Sequence, residues 1–375
     1  MYSEGKANIK YYDKAFLNPK GKLSRDISVA YTAVLADKGA KVLDATSATG
    51  IRGIRYIKEA KIDNVTFLDI NIDAYRTLMQ NIKSNRVKRH AIAYSTSIQE
   101  FANLKGDRYD FIDLDPFGSA APNIQDLLKI SKDGTRLMVT STDTAVLCGA
   151  QEKACLRIYL ARPMHNELCY EIGIRILIGY IARLAGQFNY GIEVEASFSY
   201  LHYMRVFVRL VHGASNAYKS ITQLGYGVYC RKCGNRGIDE KAFPDKRCDV
   251  CSSELYVSGP LWTGRIYNHE IIGRISDFME KNSYDKDSID FVDLINSELD
   301  IPLYYSIPRM TKMIGIAAVS PFKVMECLIK QGHNASKTHM DAHAIRTDAD
   351  IHAIKKCIAE CLNDAAMEKK AKKQV

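Results

Sequence analysis

The sequence predicts an α/β protein with a parallel, doubly wound sheet, followed by a smaller α+β region. Three observations support this prediction. Short apolar runs alternate with helical stretches over about 100 residues from Lys41. The pattern changes after Val211, where a cysteine-rich knob and a largely helical region follow. The chain has 375 residues, which is long enough for two domains with cores of their own.

Each apolar run has the length of a buried strand, and each stretch between the runs has helical periodicity. We expect five parallel strands closed by an antiparallel pair. The predicted parallel strands are 42–45, 65–69, 91–94, 111–113 and 136–140, and the pair is 192–200 with 203–211. The predicted helices of this region are 27–36, 51–58, 73–84 and 170–185.

The segment 212–216 has the composition of a linker, so we place a domain boundary near residue 215. The first domain, 1–215, begins with a segment that precedes the first core strand. The second domain, 216–375, contains the cysteine-rich knob and two predicted amphipathic helices, 290–297 and 321–331.

The composition restricts the class of protein. Lys and Arg number 52 against 43 Asp and Glu, a formal charge of +9 that suits a polyanionic partner without requiring one. Neither an apolar run of about 18 residues nor a signal peptide is found, so we expect a cytoplasmic protein. Six of the ten cysteines lie in apolar surroundings and are expected to be buried thiols: Cys148, Cys155, Cys169, Cys327, Cys357 and Cys361.

The loop 44–53 joins the first strand to its helix, where open α/β sheets bind ligands. Gly50 and Gly53 permit the backbone to approach a ligand closely. The earlier glycines of the dinucleotide fingerprint are absent, which argues against a pyrophosphate at the helix N-terminus. Asp44 would repel a phosphate and favours an ammonium group, and Asp69 can accept the hydrogens of ribose hydroxyls. These features predict S-adenosylmethionine in a Rossmann-like methyltransferase domain. Alternatively, Asp44 only caps the turn that follows it, and Asp69 only caps the next helix together with Asn71.

The stretch 113–118, Asp-Leu-Asp-Pro-Phe-Gly, follows a buried strand. The carboxylate of Asp115 and a backbone carbonyl can accept the N–H bonds of a nucleobase amine, and Phe117 can stack on the base. These acceptors strengthen as positive charge develops on the nitrogen, so they favour the transition state. The alternative is an Asp-Pro turn with Phe117 as a core residue.

Phe16 and Arg25 precede the first core strand and could form a flap over this site. A surface arm with Phe16 tucked into the body is equally compatible with the pattern.

Four further cysteines form two pairs, Cys230 with Cys233 and Cys248 with Cys251. Fourteen residues separate the two pairs. Thiolates at this spacing can bind one zinc ion tetrahedrally with no open position, so we predict a structural site. The alternative is two thiol pairs without a metal.

The chain resembles the tRNA guanine-26-N2 dimethyltransferases, in particular the shorter archaeal members. The similarity covers nearly the whole length. It rests on 4–6, 16–26, 47–53, 113–119, Thr142-Asp143, 147–149, 259–262, Thr338-His339 and 346–349.

This resemblance implies transfer of methyl groups from S-adenosylmethionine to a guanine amine in tRNA, with the C-terminal domain binding the tRNA. It implies that Asp115 is the hydrogen-bond acceptor or base, with Phe16 and Phe117 on either side of the flipped guanine. The family's acid and alanine for the adenine are replaced here, so Ser97 and Ile98 are the candidates. The cofactor-binding set is then Arg25, Asp44, Gly50, Arg52, Asp69, Ile70, Ser97, Ile98 and Asp113.

Two other hypotheses remain open at this stage. A methyltransferase acting on rRNA, on adenine in DNA or on protein glutamine would use the same strand end. A non-catalytic RNA-binding protein could keep the fold. We expect tRNA as the partner, with no membrane and no obligate protein partner implied. The sequence leaves open whether one or two methyl groups are added.

Overall fold

The computed structural model describes residues 1–11, 15–104 and 106–371. The strands are β1 (Tyr2–Glu4), β2 (Ala7–Ile9), β3 (Lys41–Asp44), β4 (Asn64–Leu68), β5 (Ala91–Tyr94), β6 (Tyr109–Leu114), β7 (Ser131–Ser141), β8 (Tyr190–Tyr200), β9 (Tyr203–His212), β10 (Leu224–Cys230), β11 (Arg236–Asp239), β12 (Leu255–Trp262), β13 (Tyr305–Ser306), β14 (Ala335–Lys337) and β15 (Ala344–Thr347). The α-helices are α1 (Lys22–Leu35), α2 (Ile51–Lys58), α3 (Ile72–Ser84), α4 (Ile98–Leu104), α5 (Ala121–Lys129), α6 (Thr144–Leu147), α7 (Glu152–Tyr159), α8 (Cys169–Gln187), α9 (Ala214–Ile221), α10 (His269–Lys281), α11 (Lys286–Asn296), α12 (Ile307–Ile314), α13 (Pro321–Lys330) and α14 (Ile351–Ala371).

Two compact units interleave along the chain. The first comprises Met1–Thr144, Leu177–Thr222 and Ile266–Asp293, and the second comprises Ala145–Ile176, Gln223–Arg265 and the chain from Leu294 onward. The predicted division of function at residue 215 stays a prediction, because compactness does not assign function.

The first unit is built on a seven-stranded sheet of order β5-β4-β3-β6-β7-β9-β8. Strands β3 to β7 are parallel, and β9 and β8 close the sheet antiparallel, which confirms the predicted fold. Val42, Leu43 and Ile112 are fully buried, as expected for parallel strands covered on both faces. The strand order reverses between β3 and β6, so a ligand is expected past the ends of these two strands.

Two local predictions in the first unit were wrong. Helix α1 begins at Lys22, not at 27, because a 3-10 turn capped by the Asn18 side chain leads directly into it. The predicted linker 212–216 contains the start of helix α9. That helix is held to β8, because the Ile192 N–H donates to the Ser220 hydroxyl at 2.9 Å.

The second unit contains two three-stranded antiparallel sheets, β11-β10-β12 and β13-β15-β14. An apolar core that includes Ile307, Met310 and Leu328 packs beside the second sheet. Helices α13 and α14 lie side by side, and Cys327 and Cys357 form a disulfide between them, with Cα atoms 5.7 Å apart.

This disulfide corrects the prediction of six buried thiols. The helix pairing brings together two cysteines thirty residues apart, and sequence spacing cannot reveal that proximity. Cys148 and Cys169 are only partly buried. None of the helices in the described ranges is long and apolar enough to span a membrane.

Candidate active site

A cavity of about 820 Å³ opens in the first unit where the parallel strands end. Its walls come from the loops after β3, β4, β5 and β6, from the segment before α1 and from the start of β9. It brings together most of the predicted site residues: Phe16, Arg25, Asp44, Arg52, Asp69, Ile70, Ser97, Ile98, Asp115 and Phe117. Gly50 and Asp113 are not among the residues that line it.

The two glycines of the loop after β3 are required by packing. Gly50 has a φ of +79°, and a Cβ atom there would come within 2.3 Å of Leu78. A Cβ atom at Gly53 would come within 2.1 Å of the Phe67 ring. The glycines therefore let α2 approach its neighbours, and this approach places Arg52 on the cavity wall.

Asp44 lies at the end of β3 and is almost fully buried. Its carboxylate accepts the Gly53 N–H at 3.1 Å. Burial, together with the nearby Asp113 carboxylate, raises the pKa of Asp44 to about 7, although Arg52 acts in the opposite direction. A cationic group bound at this position would favour the charged form of Asp44.

Asp69 is held in place by the backbone. Its carboxylate accepts the Ala48 N–H at 2.7 Å and the Asn71 N–H at 2.8 Å. Each carboxylate oxygen can accept a second hydrogen bond, and the side chain is partly exposed to the cavity. Asp69 therefore retains the capacity to accept hydroxyl hydrogens.

The adenine candidates lie at the start of α4. The Ser97 hydroxyl accepts the Glu100 N–H at 3.1 Å and so caps this helix, while Ile98 is its first residue. Both residues line the cavity. Ser97 thus has a structural function besides any contact with a ligand.

Asp113 lies behind the cavity wall in a buried cluster of charges. Its carboxylate accepts from Arg205 at 2.7 Å and from the Tyr56 hydroxyl, and it lies 3.4 Å from Arg52. The cluster holds the Arg52 guanidinium, which also contacts Asp115. The geometry thus brings Asp113 to the site through Arg52.

Asp115 follows β6 and is partly exposed to the cavity, with its backbone N–H donating to Thr46 at 2.9 Å. The Arg52 guanidinium donates to its carboxylate. Burial alone would raise the pKa of Asp115, but the charges of Arg52 and Arg205 outweigh it and lower the pKa. Asp115 is therefore a charged acceptor at neutral pH and a weak proton base.

Phe16 and Phe117 meet at the mouth of the cavity and are 55% and 75% exposed. Their ring centroids are 4.6 Å apart at an interplanar angle of 74°, so one ring presents its edge to the face of the other. In this arrangement the edge of one ring covers a face of the other, so no gap is left between the two rings. A planar base can lie between them only if the pair separates.

The hairpin of β1 and β2 contributes a residue that we did not predict for the site. The Glu4 carboxylate accepts from Arg25 at 2.7 and 2.5 Å and from Arg55 at 2.7 Å. These arginines outweigh the effect of burial and lower the pKa of Glu4 to about 2. Glu4 thus fixes Arg25 on the cavity wall. Because Arg25 and Arg55 are distant from Glu4 in the sequence, the signal that could have indicated Glu4 is its place in the stretch 4–6, which the chain shares with the resembled family.

The cavity also contains polar atoms that a ligand could satisfy. Ser24 and Thr49 line it, and their buried hydroxyls have no hydrogen-bond partner within the described residues. Buried polar groups in native proteins are normally paired. With Arg25, Asp44 and Asp69 nearby, these donors and acceptors fit a ligand that carries a carboxylate, an ammonium and a ribose.

The four cysteines of the knob converge at the end of β10 in the second unit. All four Sγ atoms lie within 4.8 Å of one another, with Cys230 to Cys251 at 3.4 Å and Cys233 to Cys248 at 3.6 Å. A tetrahedral zinc–thiolate site requires sulfurs about 3.8 Å apart. The Gly234 and Ser252 N–H groups donate to the carbonyls of Cys230 and Cys248 in two similar turns. The cluster is compatible with a structural zinc ion.

The model of the N2,N2-dimethylguanosine tRNA methyltransferase family matches residues 2–359. The tRNA (guanine(26)-N(2))-dimethyltransferase of Thermococcus kodakarensis is 35% identical over 359 residues, covering 92% of this chain and 93% of that protein. Its counterpart in Pyrococcus horikoshii is 36% identical over 369 residues, covering 92% and 94%. A solved structure of Trm1 from Pyrococcus horikoshii with S-adenosyl-L-methionine has a TM-score of 0.87 at 32% identity, covering 95% of this chain and 98% of that one.

Proposed function

Because the chain belongs to the N2,N2-dimethylguanosine tRNA methyltransferase family, we propose that it methylates the exocyclic N2 of guanine 26 in tRNA with S-adenosylmethionine as the methyl donor. The observation that carries the proposal is the charged Asp115 carboxylate, which Arg52 holds beside two exposed aromatic rings at the end of β6. The same geometry would suit other base amines, and family membership selects guanine in tRNA.

We assign the cofactor to the part of the cavity formed by the loops after β3, β4 and β5. S-adenosylmethionine supplies an electrophilic methyl group on a sulfonium. Asp44 would accept from its ammonium group and Asp69 from the ribose hydroxyls, while Arg25, Ser24 and Thr49 offer donors to the carboxylate. Ile70, Ser97 and Ile98 would contact the adenine, whereas Gly50, Arg52 and Asp113 act by shaping and charging the wall.

We assign the guanine to the side of Asp115. Flipping the base out of its stack costs a few kcal/mol, and stacking on Phe16 and Phe117 would return about 1–3 kcal/mol per base. The Asp115 carboxylate would accept an N2–H bond, and this bond strengthens as the nitrogen gains positive charge. Since the pKa of Asp115 is lowered, it acts chiefly by charge and orientation, and the amine proton can pass to solvent.

The knob cysteines Cys230, Cys233, Cys248 and Cys251 would hold one zinc ion without taking part in the chemistry. The positive charge excess suits a tRNA partner, so binding should weaken steeply as salt increases. A protein with this substrate is expected in the cytoplasm.

The direct test is nucleoside mass spectrometry of a tRNA transcript treated with the protein and S-adenosylmethionine. We expect N2-methylated guanosine in the transcript with guanine 26 and none when adenine replaces it. The same experiment counts the methyl groups added. Methylation that persists in the adenine-26 transcript, or that needs rRNA, DNA or protein instead, would overturn the proposal.

A further inference from the structure

Tyr203 lines the cavity, yet neither the sequence motifs nor the roles assigned above use it. It is the first residue of β9, which runs antiparallel to β7 with Met204 opposite Ser141, the last residue of β7. The start of β9 therefore lies at the same edge of the sheet as the ends of β6 and β7. In the strand order, Tyr203 stands two positions from the strand that precedes Asp115 and four from the strand that precedes Asp69. This places Tyr203 on the base side of the cavity.

The Tyr203 hydroxyl is a buried polar group with no hydrogen-bond partner among the residues that the structure describes. The residue is only 5% exposed, and in the described part of the chain no hydrogen bond to this hydroxyl is formed. Burial raises the pKa of Tyr203 well above its ordinary value, although Arg205 opposes the shift, so the group stays protonated and can donate. An unpaired buried donor is costly, and a ligand that accepts its hydrogen bond would remove that cost.

We propose that the Tyr203 hydroxyl donates a hydrogen bond to O6 of the guanine whose N2 amine is held by Asp115. This inference rests on the proposed function and adds a residue that determines which base is accepted. The Watson–Crick edge of guanine, which a flipped base exposes, presents an acceptor at O6 and donors at N1 and N2. The charged Asp115 carboxylate on the loop after β6 would accept from N2, and the neutral Tyr203 hydroxyl at the start of β9 would donate to O6.

The other purine acceptor near the reacting amine is N3. The structure argues against a hydrogen bond from Tyr203 to N3. N3 and N2 are bonded to the same ring carbon. A hydroxyl placed to donate to N3 would therefore lie within reach of the Asp115 carboxylate and would donate to that charge instead. Tyr203 makes no such bond among the described residues. A donor that is not hydrogen-bonded to Asp115 matches O6, the acceptor farther from N2.

The test compares two tRNA substrates with two variants. Ligated tRNAs carry at position 26 either guanine or 2-aminopurine, which keeps the N2 amine but lacks both O6 and the hydrogen on N1. Single-turnover methylation is measured with the native protein, with Tyr203→Phe and with the control Tyr200→Phe. Tyr200 ends the neighbouring strand β8, its ring centroid is 6.0 Å from that of Tyr203, and it does not line the cavity.

For the native protein and for Tyr200→Phe, we expect 2-aminopurine to react at least about tenfold more slowly than guanine, because it leaves the donor unpaired. Tyr203→Phe should react with guanine about tenfold more slowly than the native protein and discriminate between the two bases less than about threefold. Tyr203→Phe should also melt at or above the native temperature, since it removes an unpaired buried hydroxyl.

Three results would overturn the inference. If Tyr203→Phe slows both substrates by the same factor, the hydroxyl does not act through O6. If Tyr203→Phe weakens equilibrium binding of S-adenosylhomocysteine about tenfold, it serves the cofactor instead. If it melts several degrees lower, it has a structural partner. A native protein that does not methylate guanine 26 at all would instead refute the proposed function, so the two failures are distinguishable.

Discussion

The raised pKa of Asp44 makes cofactor binding dependent on pH. In the free protein this pKa is about 7, chiefly because the carboxyl is buried and because Asp113 lies nearby. Binding of an ammonium group to the carboxylate would lower that pKa, so binding must release a proton wherever Asp44 starts protonated. Affinity should therefore rise as the pH increases to about 7 and level off above it.

The magnitude follows from this pKa. Between about pH 5.5 and about pH 7, the dissociation constant for S-adenosylhomocysteine should fall by about sixteenfold, and binding at about pH 5.5 should release nearly one proton. Isothermal titration calorimetry in buffers of different ionisation enthalpy measures both quantities.

The matched control is Asp44→Asn, which keeps the oxygen that accepts the Gly53 N–H but cannot ionise. This variant should bind more weakly and lose the slope with pH. A slope that survives in Asp44→Asn would belong to another group and would refute the assignment of the proton to Asp44. A flat profile in the native protein would refute it as well.

Three further outcomes are expected. Asp115→Asn should lower the methylation rate about 10²- to 10³-fold, because it removes the charge that stabilises the developing cation. The dissociation constant for tRNA should change only a few-fold. Near-native turnover in this variant would contradict the role of Asp115 as the charged acceptor. Glu4→Gln should raise the KM for the cofactor and lower the free energy of unfolding in urea by about 3 kcal/mol, because it leaves buried Arg25 without its charge partner. The control Glu4→Asp, which keeps the charge, should lose less stability. An unchanged KM in Glu4→Gln would show that the position of Arg25 does not depend on Glu4. Elemental analysis should find one zinc ion per chain, and Cys248→Ser should lose this ion and expose the knob to proteolysis. A native protein that contains no metal and whose knob still resists proteolysis would refute the zinc assignment.

The sequence was sufficient to predict features that depend on local pattern. Apolar runs separated by helices gave the sheet, including its antiparallel closure, because connection length and burial on both faces determine such a fold. Asp69 and Asp115 could be assigned to the cavity because both follow parallel strands, whose carboxyl ends share one edge. The cysteine spacing similarly predicted the cluster in the knob.

Features that depend on distant contacts could not be predicted. Glu4 meets Arg25 and Arg55 only because the N-terminal hairpin packs on α2, and nothing in a three-residue strand indicates that partner. Tyr203 enters the cavity because β9 returns antiparallel to β7. The disulfide between Cys327 and Cys357 likewise depends on the pairing of two helices.

The group around Arg52 has a consequence for turnover. When every side chain is ionised, Asp44, Asp113 and Asp115 contribute three negative charges, whereas Arg52 and Arg205 contribute two positive ones. The methyl donor carries one net positive charge and would make the ensemble electroneutral, while the demethylated product carries none. The same pocket should therefore hold the spent donor less firmly than the fresh one, so the chemical step itself promotes exchange of the two.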